Sequence, residues 1–92
     1  MRIPKVLNIG GQHYKVELKS FIDGQDCSGY THLEMNRILI NKDMVKRQQE
    51  TTLIHEIIEV INFQYELNLS HNVIQSLEAA MYQTLKDNRL LR

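Results

Sequence analysis

Apolar and polar positions alternate through the first half of the chain and recur at helical spacing through the second. Leu7 and Ile9 alternate with Val6, Asn8 and Gly10, and Gly10-Gly11 is a turn signal. Tyr14, Val16 and Leu18 then alternate with His13, Lys15, Glu17 and Lys19, which predicts a half-buried strand with one wet face. Asp23-Gly24-Gln25-Asp26 reads as a polar loop. Beyond it, strands over Tyr30 to Met35 and Arg37 to Ile40 flank a tight turn near Asn36, a hairpin pattern. From about Val45 to Leu67, Ile54, Ile57, Ile58, Ile61 and Tyr65 form one apolar stripe of a helix. Asn68-Leu69-Ser70 interrupts it, and Ser70 is a good N-cap for a second helix from His71 to about Asn88. Val73, Ile74, Leu77, Met81 and Leu85 are the expected buried face of that helix. The pattern predicts a single α+β domain over residues 1–92. A short antiparallel β-sheet of about four strands (about residues 5–41) is covered by a two-helix antiparallel hairpin (about 45–67 and 71–88).

Composition narrows the function classes. Eleven basic and eleven acidic residues cancel, so no global field draws the chain to nucleic acid or anionic lipid. Two phenylalanines and no tryptophan leave little for base stacking, so no nucleic-acid partner is expected. No apolar run approaches the roughly 20 residues of a membrane span, and no signal peptide opens the sequence. The lone Cys27 allows no intrachain disulfide and fits a reducing cytoplasm. Cys27 has no His or Asp arrangement around it that suggests a nucleophile.

Candidate chemistry lies in Thr52-Leu53-Ile54-His55-Glu56-Ile57-Ile58-Glu59. In the H-E-x-x-H pattern two histidines one turn apart hold a metal, and the intervening glutamate is the general base. Here His55 and Glu56 are present, but Glu59 stands in the second ligand position. At about 100° per residue, Glu59, Asn62 and Glu66 fall within about 40° of His55. His71, Gln75, Glu78 and Tyr82 form a corresponding polar line on the second helix. If the two apolar stripes pack together, these lines face each other across a groove. Glu56 lies about 100° round from His55, the offset of a base that is not itself a ligand. Each residue also has a plainer reading: Glu66, Gln75 and Glu78 suit the wet face of an amphipathic helix, and His71 an exposed helix start. Tyr82 and Phe63 read as packing residues, while His13 and His32 carry no assigned role.

The chain resembles, over most of its length, a family of small phage- and prophage-encoded proteins related to minimal zincin-type metallopeptidases. The resemblance is carried by Ile9-Gly10-Gly11-Gln12-His13-Tyr14-Lys15-Val16, Arg37-Ile38-Leu39-Ile40, Glu50-Thr51-Thr52-Leu53-Ile54-His55-Glu56 and Met81-Tyr82-Gln83-Thr84-Leu85-Lys86-Asp87-Asn88. The broader group carries a full H-E-x-x-H and a further acidic ligand on the following helix. A subset is similar to this chain in having H-E-I-I-E-x-I-N and a histidine at the position of His71. The resemblance implies a zincin-like minimal core and a cytoplasmic location in a bacterial host cell.

On this basis Glu56 is the expected general base, and His55, Glu59 and His71 the expected metal ligands, with one position open for water. Glu78, 19 residues after Glu59, is the reserve ligand, and Gln75 stands where the broader group often has its acidic one. The expected cofactor is a divalent metal, Zn first; exchange of imidazole for carboxylate shifts the preference toward Mn or Fe. The same exchange also suits a fold that has lost its metal. The expected function is a zincin-like metal-dependent hydrolase acting on a peptide or protein substrate. The alternative, from another class, is a non-catalytic phage accessory protein that binds a host or phage protein partner. So short a chain leaves little room for a cleft, which a homodimer or partner would complete.

Overall fold

The computed structural model describes residues 2–20 and 28–91; Cys27 and the polar loop at 23–26 lie outside the described residues. Four strands, β1 (Val6–Ile9), β2 (Gln12–Lys19), β3 (Gly29–His32) and β4 (Arg37–Asn41), precede two helices, α1 (Lys46–Gln64) and α2 (His71–Asp87). The α+β class and the order of elements agree with the sequence pattern.

The sheet itself departs from expectation. Its order is β1-β2-β4-β3, with β2 and β4 parallel and the other two pairs antiparallel, so it is mixed rather than antiparallel. Alternation marks a strand and its buried face but carries no direction. After β2 the chain lays β3 one strand position away, and the turn after β3 folds β4 back into the gap. That turn begins earlier than expected: β3 ends at His32, Leu33–Met35 form one 3₁₀ turn, and Asn36 closes it with φ 49°. Asn tolerates this left-handed conformation better than most residues. Gly10 and Gly11 form the β1–β2 turn with φ +56° and +80°. At Gly10 the positive φ favours glycine, and a Cβ there would also displace the Gln64 amide, whose Oε1 it would approach to 1.8 Å.

Between the sheet and α1 the core consists of Ile9, Tyr14, Val16, Ile38, Ile40, Leu53 and Val60, all buried. Ile54 and Ile58, on the next flank of α1, pack against Ile74 and Tyr82 of α2. Helix α2 therefore packs on α1 rather than lying with it on the sheet, as a hairpin covering the strands would. The pairs Glu50–Tyr82 and His55–Glu78 run in opposite chain order, which makes the hairpin antiparallel. Ser70 caps α2 by accepting the Val73 N–H, as expected. Asn62 Oδ1 accepts the Leu69 N–H and so closes the interhelical turn.

Three expectations about faces need correction. Val73, Leu77 and Met81 are exposed, at 43, 39 and 42%, while Ile74 and Tyr82 are buried. Of the polar line of α2, Glu78 and Tyr82 find hydrogen-bond partners on α1, while His71 and Gln75 are exposed. Ile57 and Ile61 are half-buried and Phe63 and Tyr65 are exposed; α1 ends at Gln64, so Tyr65 no longer continues the stripe. Glu66, at φ 52°, has left the helix and does not continue the His55 line.

Candidate active site

His55, Glu56 and Glu59 belong to the stretch of α1 that runs between the edge strand β3 and α2. Leu53 and Val60 bind this helix to the sheet, and Ile54 and Ile58 bind it to α2. The remaining side of the helix is left as the floor of a groove, with β3 as one wall and α2 as the other. Two adjoining cavities of about 460 Å³ each occupy the groove, and His55, Glu56 and Gly29 line both. One extends toward Leu33, Glu59, Asn62 and Phe63; the other extends toward Thr51, His71, Gln75 and Glu78.

The structure brings His55 closest to two carboxylates. Its Nδ1 lies 2.7 Å from Glu78 Oε1, and its Nε2 lies 3.6 Å from Glu59 Oε2. An ionised carboxylate only accepts, so the His55–Glu78 bond puts a proton on Nδ1 and frees the Nε2 lone pair in the neutral ring. A carboxylate on the remote nitrogen is the usual partner of a metal-binding imidazole, fixing both tautomer and ring orientation. Glu78 thus occupies the orienting position rather than that of a second donor at Nε2. His71 sits on the same groove, its ring centroid 6.0 Å from that of His55 and edge-on to it. Gln75 lines the same cavity.

A metal ion implied by the resemblance can be tested against this donor set. Two ligands on a tetrahedral Zn stand about 3.3 Å apart at ordinary bond lengths, and the 3.6 Å between His55 Nε2 and Glu59 Oε2 is close to that edge. No three His, Cys, Asp or Glu side chains form a closed ligand group among the described residues. The fit is therefore of two donors, with imidazole and carboxylate groups adjoining them. Among the described residues, the cavities are lined by three carboxylates and two imidazoles with no Lys or Arg, a donor set chemically suited to a divalent cation.

Glu56 is held differently. It is buried, and its Oε1 accepts the Thr31 hydroxyl at 2.7 Å. Burial pushes its carboxyl above the ordinary carboxylate range, and the charges of Glu59 and Glu78 push the same way. The Thr31 hydrogen bond and His55 oppose that shift. Raised carboxyl pKa values in clefts mark groups suited to proton transfer near neutral pH.

Thr31 and Gly29 were not among the expected site residues. Both face α1 from β3, because Thr31 pairs with Ile38 and Gly29 with Ile40, the two inward residues of β4. A Cβ at Gly29 would come within 2.5 Å of Thr52 Cγ2 and 3.3 Å of Glu56 Oε2, so its missing side chain makes room for the carboxylate. The one signal in the sequence is a Gly and a Thr two residues apart on the inner line of an edge strand, where apolar residues belong.

Comparison of the chain with protein-family models, with curated proteins and with solved structures finds no match in any of the three. No helix among the described residues is long and apolar enough to cross a membrane.

Proposed function

We propose that this protein is a zincin-like metal-dependent hydrolase that cleaves a peptide bond in the groove between β3 and α2. The observation that carries the proposal is the His55 ring, clamped at Nδ1 by Glu78 with Nε2 turned toward Glu59, one residue from the buried Glu56. His55 and Glu59 would hold a divalent metal, with His71 as the adjoining donor. Such an ion supplies Lewis acidity for the scissile carbonyl and the attacking water.

The chain's own residues account for the proton movements. Glu56, ionised, takes a proton from the water as its oxygen bonds to the carbonyl carbon. The same carboxyl then delivers that proton to the amine nitrogen as the C–N bond breaks, giving one carboxylic acid and one amine. Thr31 holds the carboxylate in one orientation through both steps. Edge strand β3 offers an extended substrate a backbone to lie beside, a common mode of peptide binding.

A second reading, a non-catalytic accessory protein that binds a protein partner in the same groove, draws on the open donor set. Metal analysis and a peptidase assay separate the two. Protein purified without chelator or affinity-tag metal should carry, or take up from added Zn²⁺, one equivalent, and lose it in His55→Ala. Glu56→Gln should keep the metal and lose hydrolysis by roughly 10²–10⁴-fold. A folded protein that takes up no divalent ion would make the accessory role the better account.

A further inference from the structure

Helix α1 ends in a Schellman turn: the Leu67 N–H reaches the Asn62 carbonyl, and the Glu66 N–H reaches that of Phe63. The residue after the cap of such a turn is left-handed and is usually glycine, sometimes asparagine. Here it is Glu66, at φ 52°. A glutamate adopts that conformation at a cost that glycine would avoid. Its carboxylate has no hydrogen-bond or ion-pair partner among the described residues, so no internal contact accounts for the choice. What the side chain does is line a cavity of about 520 Å³ where the end of α1 meets the β1–β2 turn.

The rest of that lining is Phe63, Tyr65, Gly10, Gln12 and Gln64. Phe63 and Tyr65 are 58 and 60% exposed and belong to neither buried core cluster. Gln64 donates its amide hydrogens to the Ile9 carbonyl and the Tyr14 hydroxyl, which leaves its Oε1 as an acceptor beside Gly10. The Tyr65 hydroxyl stands at the same place, 3.3 Å from where a Gly10 Cβ would lie. Gln12, whose Oε1 is taken by Asn36, adds amide donors. No Lys or Arg among the described residues lines the cavity.

We infer that this cavity binds an organic ammonium group, either a lysine side chain or a quaternary ammonium. An unpaired carboxylate and two exposed aromatic rings attract the same kind of ligand, a cation that also carries apolar surface. The ring faces favour an alkylammonium over a bare metal ion, and the carboxylate favours it over a neutral molecule of the same shape. The site lies outside the His55 groove, sharing only Phe63 with it, and requires neither a metal nor hydrolysis.

Titration of the full chain with choline and with 3,3-dimethylbutan-1-ol, its uncharged isostere, tests this at constant ionic strength by amide NMR. Choline should bind at least about tenfold more tightly, with shifts centred on Gly10, Tyr65 and Glu66. Glu66→Gln should weaken choline binding roughly three- to fivefold, and Tyr65→Leu roughly two- to fivefold. Glu66→Gly should abolish the preference for the cation and raise Tm, since glycine suits the turn. Tighter binding of Nα-acetyl-lysine methylamide than of choline would assign the cation to a peptide lysine, and the reverse to a free quaternary ammonium. Equal binding of choline and the alcohol, no binding of either cation at millimolar concentration, or shifts centred on His55 and Glu59 would each overturn the site. So would undiminished binding in Glu66→Gln, or a lower Tm in Glu66→Gly, which would make Glu66 a structural residue.

Discussion

Thr31 on the edge strand donates its hydroxyl hydrogen to Glu56 on α1 across 2.7 Å, joining residues 25 apart in sequence. The bond favours the ionised carboxylate against the burial that disfavours it. Thr31→Val removes the donor and keeps the β-branched shape, so Glu56 should titrate at higher pH than in the parent. Carboxyl ¹³C NMR reads this directly in metal-free protein, and Thr31→Ser should restore the original midpoint. If Thr31→Val leaves the Glu56 titration unmoved, the hydroxyl does not govern the carboxylate. In an active preparation the acidic limb of the rate profile should move up with the same midpoint, with kcat falling more than KM rises.

Stability should respond to pH through Glu56 in a defined direction. A carboxyl whose folded pKa is raised binds more protons folded than unfolded between the two values, so stability falls as pH rises. The favourable contribution is complete below the unfolded pKa, near 4.3, and is lost as pH rises through the higher folded value. Glu56→Gln cannot ionise, so its urea midpoint relative to the parent should climb across that window and level off above it. A difference that stays flat with pH would mean that Glu56 titrates alike in both states.

Packing separates the two faces of α2. Ile74→Ala and Ile38→Ala should each cost about 2–5 kcal/mol by chemical denaturation, since both side chains are almost wholly buried. Leu77→Ala and Met81→Ala, on the outward face, should cost about 0.5 kcal/mol. Tyr82→Phe keeps the ring but removes a donor to the buried Glu50, a loss of about 1–2 kcal/mol. Equal costs at Leu77 and Ile74 would show the outward face to be covered in solution.

Glu59→His restores the paired-histidine pattern at a position whose carboxylate already lies 3.6 Å from His55 Nε2. Isothermal titration with Zn²⁺ should show tighter binding than the parent, because imidazole is a softer ligand than carboxylate. Unchanged or weaker affinity would remove position 59 from the proposed ligand set.

Much of the frame was legible from local signals. Alternation at Tyr14 and Val16, the Gly10-Gly11 turn, helical spacing from Ile54 to Ile61 and the Ser70 cap all act over a few residues. Strand order was not legible, because the placing of β4 between β2 and β3 depends on where the chain returns after a long connection. The face of α2 was misjudged for a different reason. Amphipathic spacing put Val73, Leu77 and Met81 inward, but the contact with α1 falls on the flank of Ile74, Glu78 and Tyr82, where His55 and Glu50 meet the two polar groups. His55 and Glu56 line both adjoining cavities, Glu59 lines one and His71 the other. Thr31 and Gly29 border the groove from β3, whose hairpin pairing with β4 the turn near Asn36 did announce but whose place at the sheet edge beside α1 it did not.

Gln64 reaches back from the last turn of α1 to the carbonyl of Ile9 and the hydroxyl of Tyr14, spans of 55 and 50 residues. On a ribosome, the first hairpin can form its own ladder early, yet it lacks this clasp until residue 64 has cleared the exit tunnel. Its inward side also waits for β4, the parallel neighbour of β2, and for the helix that covers Tyr14 and Val16. Long-range closure of this kind slows folding relative to helix formation. The nascent chain therefore carries a half-finished sheet until residue 64 emerges. Pauses in translation after the first hairpin has emerged but before residue 64 has should lengthen that exposure and increase aggregation, whereas pauses after residue 64 has emerged should not.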